Sequence, residues 1–320
     1  MARLAMCGLL GVACGDDDGG DAGVDASIDT AIDAPAVDAP GVDAPGMDAP
    51  GVDASVDAAT PPAFVGGDER PTRVIVPPGY DPSTPAPLLI LLHGYTVNGL
   101  AQNAYFGLTR KAGERGLLLL APDGLMDSLG NRHWNATPAC CGSTRPADDL
   151  AYVTSLIDEM EAGYNVDSSR IYLLGHSNGG FMSYRMACDA ADRITAIASL
   201  AGSTFFDPAR CDPVRPVSVL QIHGTADSTI RYDGFTGGYP SAPDTVQRFA
   251  DRAGCTSDAL GDPIDFDSRV AGDETTTRTW SGCDGAVDAA LWSIVDGGHI
   301  PPLAEGATDA ILDWLLAHSL

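Results

Sequence analysis

The sequence predicts an α/β architecture: a mostly parallel, doubly wound sheet within one large domain. Three observations carry this. Continuously apolar runs such as Leu88–Leu92 and Leu117–Ala121 read as strands covered on both faces. Segments of helical period alternate with the strand-like runs. The roughly 260 residues that follow an Asp-rich first sixty are enough for one sizeable core.

The chain opens on Arg3, a short apolar run from Leu4 to Ala13, and Cys14 followed by Gly15-Asp16-Asp17-Asp18. The run is too short to span a bilayer. It resembles a bacterial lipoprotein signal with Cys14 as the lipidated residue, although Gly11 stands where Leu is usual. Plain secretory cleavage is the alternative. Residues 1–60 hold twelve Asp and one Arg, net −11; the remaining 260 hold 32 acidic and 17 basic residues, net −15. Units such as Val37-Asp38-Ala39-Pro40 and Val42-Asp43-Ala44-Pro45 repeat every five residues. Such a segment repels itself and has nothing to bury, so residues 15–62 are expected to be an extended tether. Acidity throughout argues against nucleic acid and against docking on anionic lipid. Membrane attachment is expected only through a lipid on Cys14.

Within 63–320, strands are expected at Arg73–Val76, Leu88–Leu92, Leu117–Ala121, Arg170–Leu174, Ile194–Leu200, Val217–Ile222, Thr275–Trp280 and Ala289–Val295. Helices are expected over Asp149–Gly163, with Leu150, Val153, Ile157 and Met160 on one stripe, over Asp244–Ala253, and over Asp309–His318. Of eight cysteines, six fall here: Cys140, Cys141, Cys188, Cys211, Cys255 and Cys283. An even number in an exported chain suggests disulfides, and no spacing suggests a zinc site. Six cysteines allow fifteen pairings; proximity in the chain favours Cys188 with Cys211 and Cys255 with Cys283. A bond between the neighbours Cys140 and Cys141 would be strained, so free thiols or longer-range partners stay open.

The most informative stretch is Ile171-Tyr172-Leu173-Leu174-Gly175-His176-Ser177-Asn178-Gly179-Gly180. It reads as a buried strand turning sharply into a helix that continues through Phe181–Ala187, with Ser177 at the tip of a Gly-x-Ser-x-Gly elbow. Three further loops sit at expected strand ends: His93-Gly94-Tyr95, His223-Gly224-Thr225-Ala226-Asp227 and Asp296-Gly297-Gly298-His299. Ligands of such sheets bind at the carboxyl ends of strands. The order Ser, Asp, His is that of α/β-hydrolases. A serine hydroxyl needs a base to take its proton and return it to a leaving group, and the base needs a carboxylate to fix its tautomer. His299 is the candidate base and Asp227 the candidate acid, with Asp233 and Asp296 as rivals. The backbone N–H groups of Tyr95 and Asn178 are the candidate oxyanion donors. His93 and His223 read as structural, and His176 is expected to point away from the serine's partner. His133, beside Trp134, is a candidate substrate contact.

These residues resemble the polyhydroxybutyrate depolymerase and feruloyl esterase family of α/β-hydrolases. The matching pieces are Leu91-Leu92-His93-Gly94-Tyr95, Ala121-Pro122-Asp123-Gly124, Trp134-Asn135 with Cys140-Cys141-Gly142, and Asp148-Asp149. They continue with Val166-Asp167-Ser168-Ser169-Arg170-Ile171-Tyr172, the elbow, His223 to Asp227, and Gly297-Gly298-His299. They span nearly all of residues 70–318. The resemblance implies secreted serine esterases without metal or other cofactor. It supports Ser177, Asp227 and His299 with oxyanion donors at Tyr95 and Asn178, and puts Trp134 near the substrate cleft. One departure stands out: the family commonly carries Thr-Trp-Pro after the histidine, and here Ile300-Pro301-Pro302 follows.

The expectation is therefore a signal over 1–14, a tether over 15–62 and a single catalytic α/β-hydrolase domain over 63–320. It would be a monomer at the surface of a bacterium or outside it. Its substrates would be hydroxyalkanoate esters, or feruloyl and acetyl esters of plant polysaccharide. With no separate polymer-binding domain in the sequence, oligomers or soluble esters are expected over solid polymer. A glycan- or protein-binding lipoprotein with a vestigial site, and an acyltransferase, are the alternatives.

Overall fold

The computed structural model describes residues 60–140 and 147–320. The signal and most of the tether, with Cys7, Cys14, Cys141 and Gly142, lie outside the described residues. Strands and helices are numbered in chain order. A short ribbon pairs β1 (Phe64–Val65) with β2 (Thr72–Arg73). The first strand of the main sheet is β3 (Ala86–Leu92), followed by α1 (Gly99–Phe106), α2 (Leu108–Glu114) and β4 (Leu118–Leu120). A second ribbon, β5 (Leu125–Met126) with β6 (Arg132–His133), leads to α3 (Asp149–Gly163). Then come β7 (Val166–His176), α4 (Asn178–Asp189), β8 (Ala196–Leu200), β9 (Ser218–Gly224) and α5 (Ala242–Arg252). The chain closes with β10 (Ser257–Leu260), β11 (Thr275–Ser281), β12 (Ala289–Ile294) and α6 (Ala307–Leu316).

The main sheet has eight strands in the order β10-β11-β12-β9-β8-β7-β3-β4. From β12 to β4 all neighbours are parallel; β11 and β10 extend the sheet antiparallel at one edge. This is the mostly parallel α/β sheet predicted from the apolar runs. Leu88, Ile90 and Leu92 of β3 enter a core shared with Val153 and Ile157 of α3, Phe181 of α4 and Phe249 of α5. Leu89 and Leu91 enter the opposite core with Phe106, Leu108 of α2 and Ile311 of α6. Alternate side chains point to opposite faces of a strand, so burial on both faces demands an unbroken apolar run.

The four expected helices appear: α4 follows the elbow, α3 covers the predicted span, and α5 and α6 each start about two residues earlier. Two helices were missed. Both lie between apolar strands and lack a clear stripe, α1 in a stretch of Gly, Gln and Asn and α2 in one of Thr, Arg, Lys and Glu. The signals that define α1 are local: Asn98 caps it by accepting from the Ala101 N–H, and Gly107 ends it in the left-handed region. The expected Arg73–Val76 strand is shorter, with Ile75 joining Leu119 by an isolated bridge. Edge strand β10 was also missed, because all four of its residues are exposed and carry no core pattern.

Cys188 is bonded to Cys211, and Cys255 to Cys283, the pairings favoured by chain proximity. The second bond joins the segments flanking the β10–β11 pair at the exposed edge. Cys140 is disulfide-bonded as well.

Candidate active site

β7 ends at His176 and α4 begins at Asn178, so Ser177 alone makes the turn. Its backbone lies at φ 54° and ψ −119°, a strained conformation for a residue with a side chain. The two flanking glycines are required by contact. A Cβ on Gly175 would sit 2.1 Å from the Gly179 carbonyl oxygen, and one on Gly179 would sit 2.0 Å from the Leu92 carbonyl oxygen. The Ser177 N–H is bonded to the Leu200 carbonyl at 2.8 Å, which ties the tip of the turn to the end of β8.

Three strand-end loops converge on this serine. Ser177 Oγ lies 2.9 Å from His299 Nε2, and His299 Nδ1 lies 2.7 Å from Asp227 Oδ2. A carboxylate only accepts, so Nδ1 donates to Asp227 and Nε2 is left to accept from the serine hydroxyl. Asp227 Oδ1 accepts from the Thr229 and Ile230 N–H groups at 2.8 and 2.9 Å. His223 Nε2 stands 3.4 Å from Asp227 Oδ2. Burial by itself would raise the Asp227 carboxyl. Hydrogen bonds from His223, His299 and the Thr229 N–H outweigh it and hold the group well below the usual carboxylate range. The rivals Asp233 and Asp296 make no bond to the His299 ring.

The His93-Gly94-Tyr95 loop lies beside the serine: a Cβ on Gly94 would fall 3.5 Å from Ser177 Cβ. Among the described residues the backbone N–H groups of Tyr95 and Asn178 have no acceptor. The Asn178 N–H belongs to the first turn of α4, where helical geometry leaves it free. The Tyr95 phenol donates to Asp127 Oδ2 at 2.6 Å and accepts from Asn131 Nδ2, while the Thr96 N–H bonds the Arg132 carbonyl. The β5–β6 ribbon thus holds this loop from outside.

Two expectations for substrate contacts need correction. Trp134 is 0% exposed and His133 1% exposed, so neither lines a cleft. Both are interior struts. The Trp134 indole donates to the His93 carbonyl at 3.0 Å. The Asn178 side chain clamps the Trp134 backbone, accepting from its N–H at 2.6 Å and donating to its carbonyl at 2.9 Å. Asn178 Nδ2 also reaches Cys140 Sγ at 3.3 Å. His133 Nδ1 donates to the Leu125 carbonyl, whose oxygen can only accept. The resemblance put Trp134 near the substrate cleft; what its ring does is bolt the candidate oxyanion loop to the elbow. His93 is structural, accepting from the Gly124 N–H at 2.8 Å through Nε2 and donating to the Gly94 carbonyl through Nδ1. The motif residue Asp149 is buried and accepts from the Asn135 N–H at 2.7 Å and Arg70 Nη1 at 2.5 Å. His176 departs most from expectation. It does not point away from the serine's partner but packs on it, with ring centroids 5.2 Å apart. Among the described residues no group of three or more His, Cys, Asp or Glu is placed to hold a metal ion.

Comparison with known proteins matches residues 65–243 to the family model described as "Putative esterase". Feruloyl esterase B of Piromyces equi is 30% identical over 255 residues, covering 76% of this chain and 44% of that protein. Feruloyl esterase C of Emericella nidulans is 29% identical over 254 residues, 76% of this chain and 82% of that protein. The protein named "Putative esterase NocK" of Nocardia uniformis subsp. tsuyamanensis is 28% identical over 270 residues, 77% and 76% of the two chains. Among solved structures, an acetyl xylan esterase from Aspergillus awamori superposes with a TM-score of 0.56 at 13% identity, over 77% of this chain and 94% of that one. That likeness speaks to the fold. With a family match over more than half its length, this chain belongs to the feruloyl esterase-like family of α/β-hydrolases, which are carboxylic ester hydrolases.

Proposed function

We propose that this protein hydrolyses carboxylic esters through an acyl-enzyme on Ser177. The observation that carries the reading is the unbroken chain Ser177 Oγ, His299, Asp227, with spacings of 2.9 and 2.7 Å. Ser177 Oγ attacks the ester carbonyl carbon while its proton passes to His299 Nε2. The carbonyl oxygen becomes an oxyanion that accepts from the Tyr95 and Asn178 N–H groups. Collapse expels the alcohol, which leaves with the proton from His299. A water then attacks the acyl carbon, giving its proton to His299; collapse releases the acid and returns the proton to Ser177. Asp227 fixes the imidazole tautomer and stabilises the imidazolium throughout.

The relatives' names favour feruloyl or acetyl esters of plant polysaccharide as the substrate class, ahead of hydroxyalkanoate esters. Residues 63–320 would be the catalytic unit. Residues 15–62 would be its tether, behind an export signal that attaches lipid at Cys14. Two disulfides in a chain with such a leader support export. The test is hydrolysis of p-nitrophenyl acetate, methyl ferulate, acetylated xylan and hydroxybutyrate oligomers by the wild type and Ser177→Ala, with fluorophosphonate labelling of both. The wild type should label and turn over and Ser177→Ala should do neither. A folded Ser177→Ala protein with wild-type turnover refutes the acyl-enzyme.

A further inference from the structure

The residue that follows the elbow's first glycine has a task of its own. The His176 ring is buried between two others: it stacks on Tyr105 at 5.9 Å and 26°, and lies against His299 at 5.2 Å and 38°. His176 Nε2 is 3.0 Å from the His299 carbonyl oxygen, which can only accept, so Nε2 carries the proton and donates. Tyr105 reaches over the same loop, its phenol donating to the Pro301 carbonyl at 2.6 Å. Two side chains from two separate elements, α1 and the end of β7, therefore grip consecutive stretches of the loop that carries the base. Both hold it by main-chain carbonyls. Between them the loop is otherwise open: Ile300 is 60% exposed, and a Cβ on Gly298 would meet nothing within 4 Å. His176 also backs onto the candidate oxyanion loop, since a Cβ at Gly94 would lie 3.3 Å from its Nδ1.

We infer that His176 and Tyr105 are positioning residues that hold the His299 imidazole in register with Ser177, by stacking on one side and by hydrogen bonds to the backbone carbonyls of residues 299 and 301. This rests on the ester-hydrolase reading above and adds a mechanism by which a loop without an aromatic of its own after the histidine stays aligned. Because the reacting atoms must meet within a few tenths of an ångström, a small drift of the ring costs rate rather than affinity.

The experiment is steady-state p-nitrophenyl acetate hydrolysis by the full-length wild type and by His176→Phe, His176→Gln and Tyr105→Phe, each checked for a cooperative melt. His176→Phe keeps a flat ring but removes the donor. It should lower kcat by about 10- to 100-fold with KM within about twofold, as expected for misalignment on the order of an ångström. His176→Gln carries an N–H donor of similar reach and should recover most of the rate, which a merely structural role would not predict. Tyr105→Phe removes one neutral hydrogen bond and should lower kcat about fivefold. It decides the matter should His176→Phe fail to fold. Wild-type kcat in folded His176→Phe, equal losses in the Gln and Phe variants, or wild-type kcat in Tyr105→Phe overturns the inference while the ester-hydrolase reading stands. An inactive wild type overturns both.

Discussion

The nucleophile turn and the loop that carries the base are held by different physics. The turn is fixed by exclusion. Gly175 and Gly179 are packed so tightly against backbone carbonyls that no side chain fits, and Ser177 is held at a positive φ by the strand and helix on either side. The base loop, apart from the close packing of Gly297 on Gly224, is fixed by attraction. Gly298 stands in open space, and His299 is located by bonds to Asp227, Ser177, His176 and, through Pro301, Tyr105. A steric constraint fails by unfolding; a hydrogen-bonded one fails by misalignment. Substitutions in the two regions should therefore separate stability from rate.

The largest effect should come from Asp227→Asn. The amide fits the same space but favours the wrong imidazole tautomer, so kcat of the folded protein should fall by roughly 10³- to 10⁴-fold. A loss under tenfold would mean that Asp227 does not orient the base. Next is Gly179→Ala, which drives a methyl into the Leu92 carbonyl. It should destabilise by at least about 3 kcal/mol, the upper end of overpacking costs, and whatever folded fraction remains should turn over at near the wild-type rate. Soluble, fully stable protein with low kcat would reverse the contrast between the two regions.

A pH experiment sharpens the comparison. Burial pushes the His176 imidazole down to about 4, with the nearby His299 ring lowering it further; its bond to the His299 carbonyl and the Asp227 charge partly oppose this. The folded state thus binds fewer protons than the unfolded one between about 6.5 and 4. The contribution is fully present above 6.5 and is lost as pH falls through that window, by roughly 3 kcal/mol in all. Urea titrations at pH 7.5 and 4.5 should show it, and His176→Gln should remove most of the slope there. Asp227 is shifted in the same direction, but its depressed carboxyl loses its stabilising share only below about 4, outside this window. The smallest effect is expected at Asn178→Ala. It leaves the Trp134 N–H and carbonyl without their buried partner and should cost about 2 kcal/mol. Its backbone N–H remains, so kcat of the folded protein should fall far less than in Asp227→Asn. A loss equal to that of Asp227→Asn would give the side chain a direct part in the chemistry.

Much of this molecule could be read from its residues one at a time. Strands β3 and β4 and the Ile171–Leu174 stretch of β7 announce themselves because burial on both faces favours an unbroken apolar run, and the elbow announces itself because only glycine fits beside backbone at 2 Å. The serine, acid and base candidates were legible as residues standing just beyond such strands. What could not be read is how the ends of those strands approach one another. His176 and Tyr105 are 71 residues apart in sequence, and Tyr105 lies in a helix with no recognisable pattern; nothing local says that both would reach the loop after β12. The resemblance put Trp134 near the substrate cleft, yet the Asn178 amide clamps its backbone in the interior. Periodicity and steric need are properties of a segment and are written in it. Contacts between segments depend on strand order and register, which the chain acquires only when the whole sheet has closed.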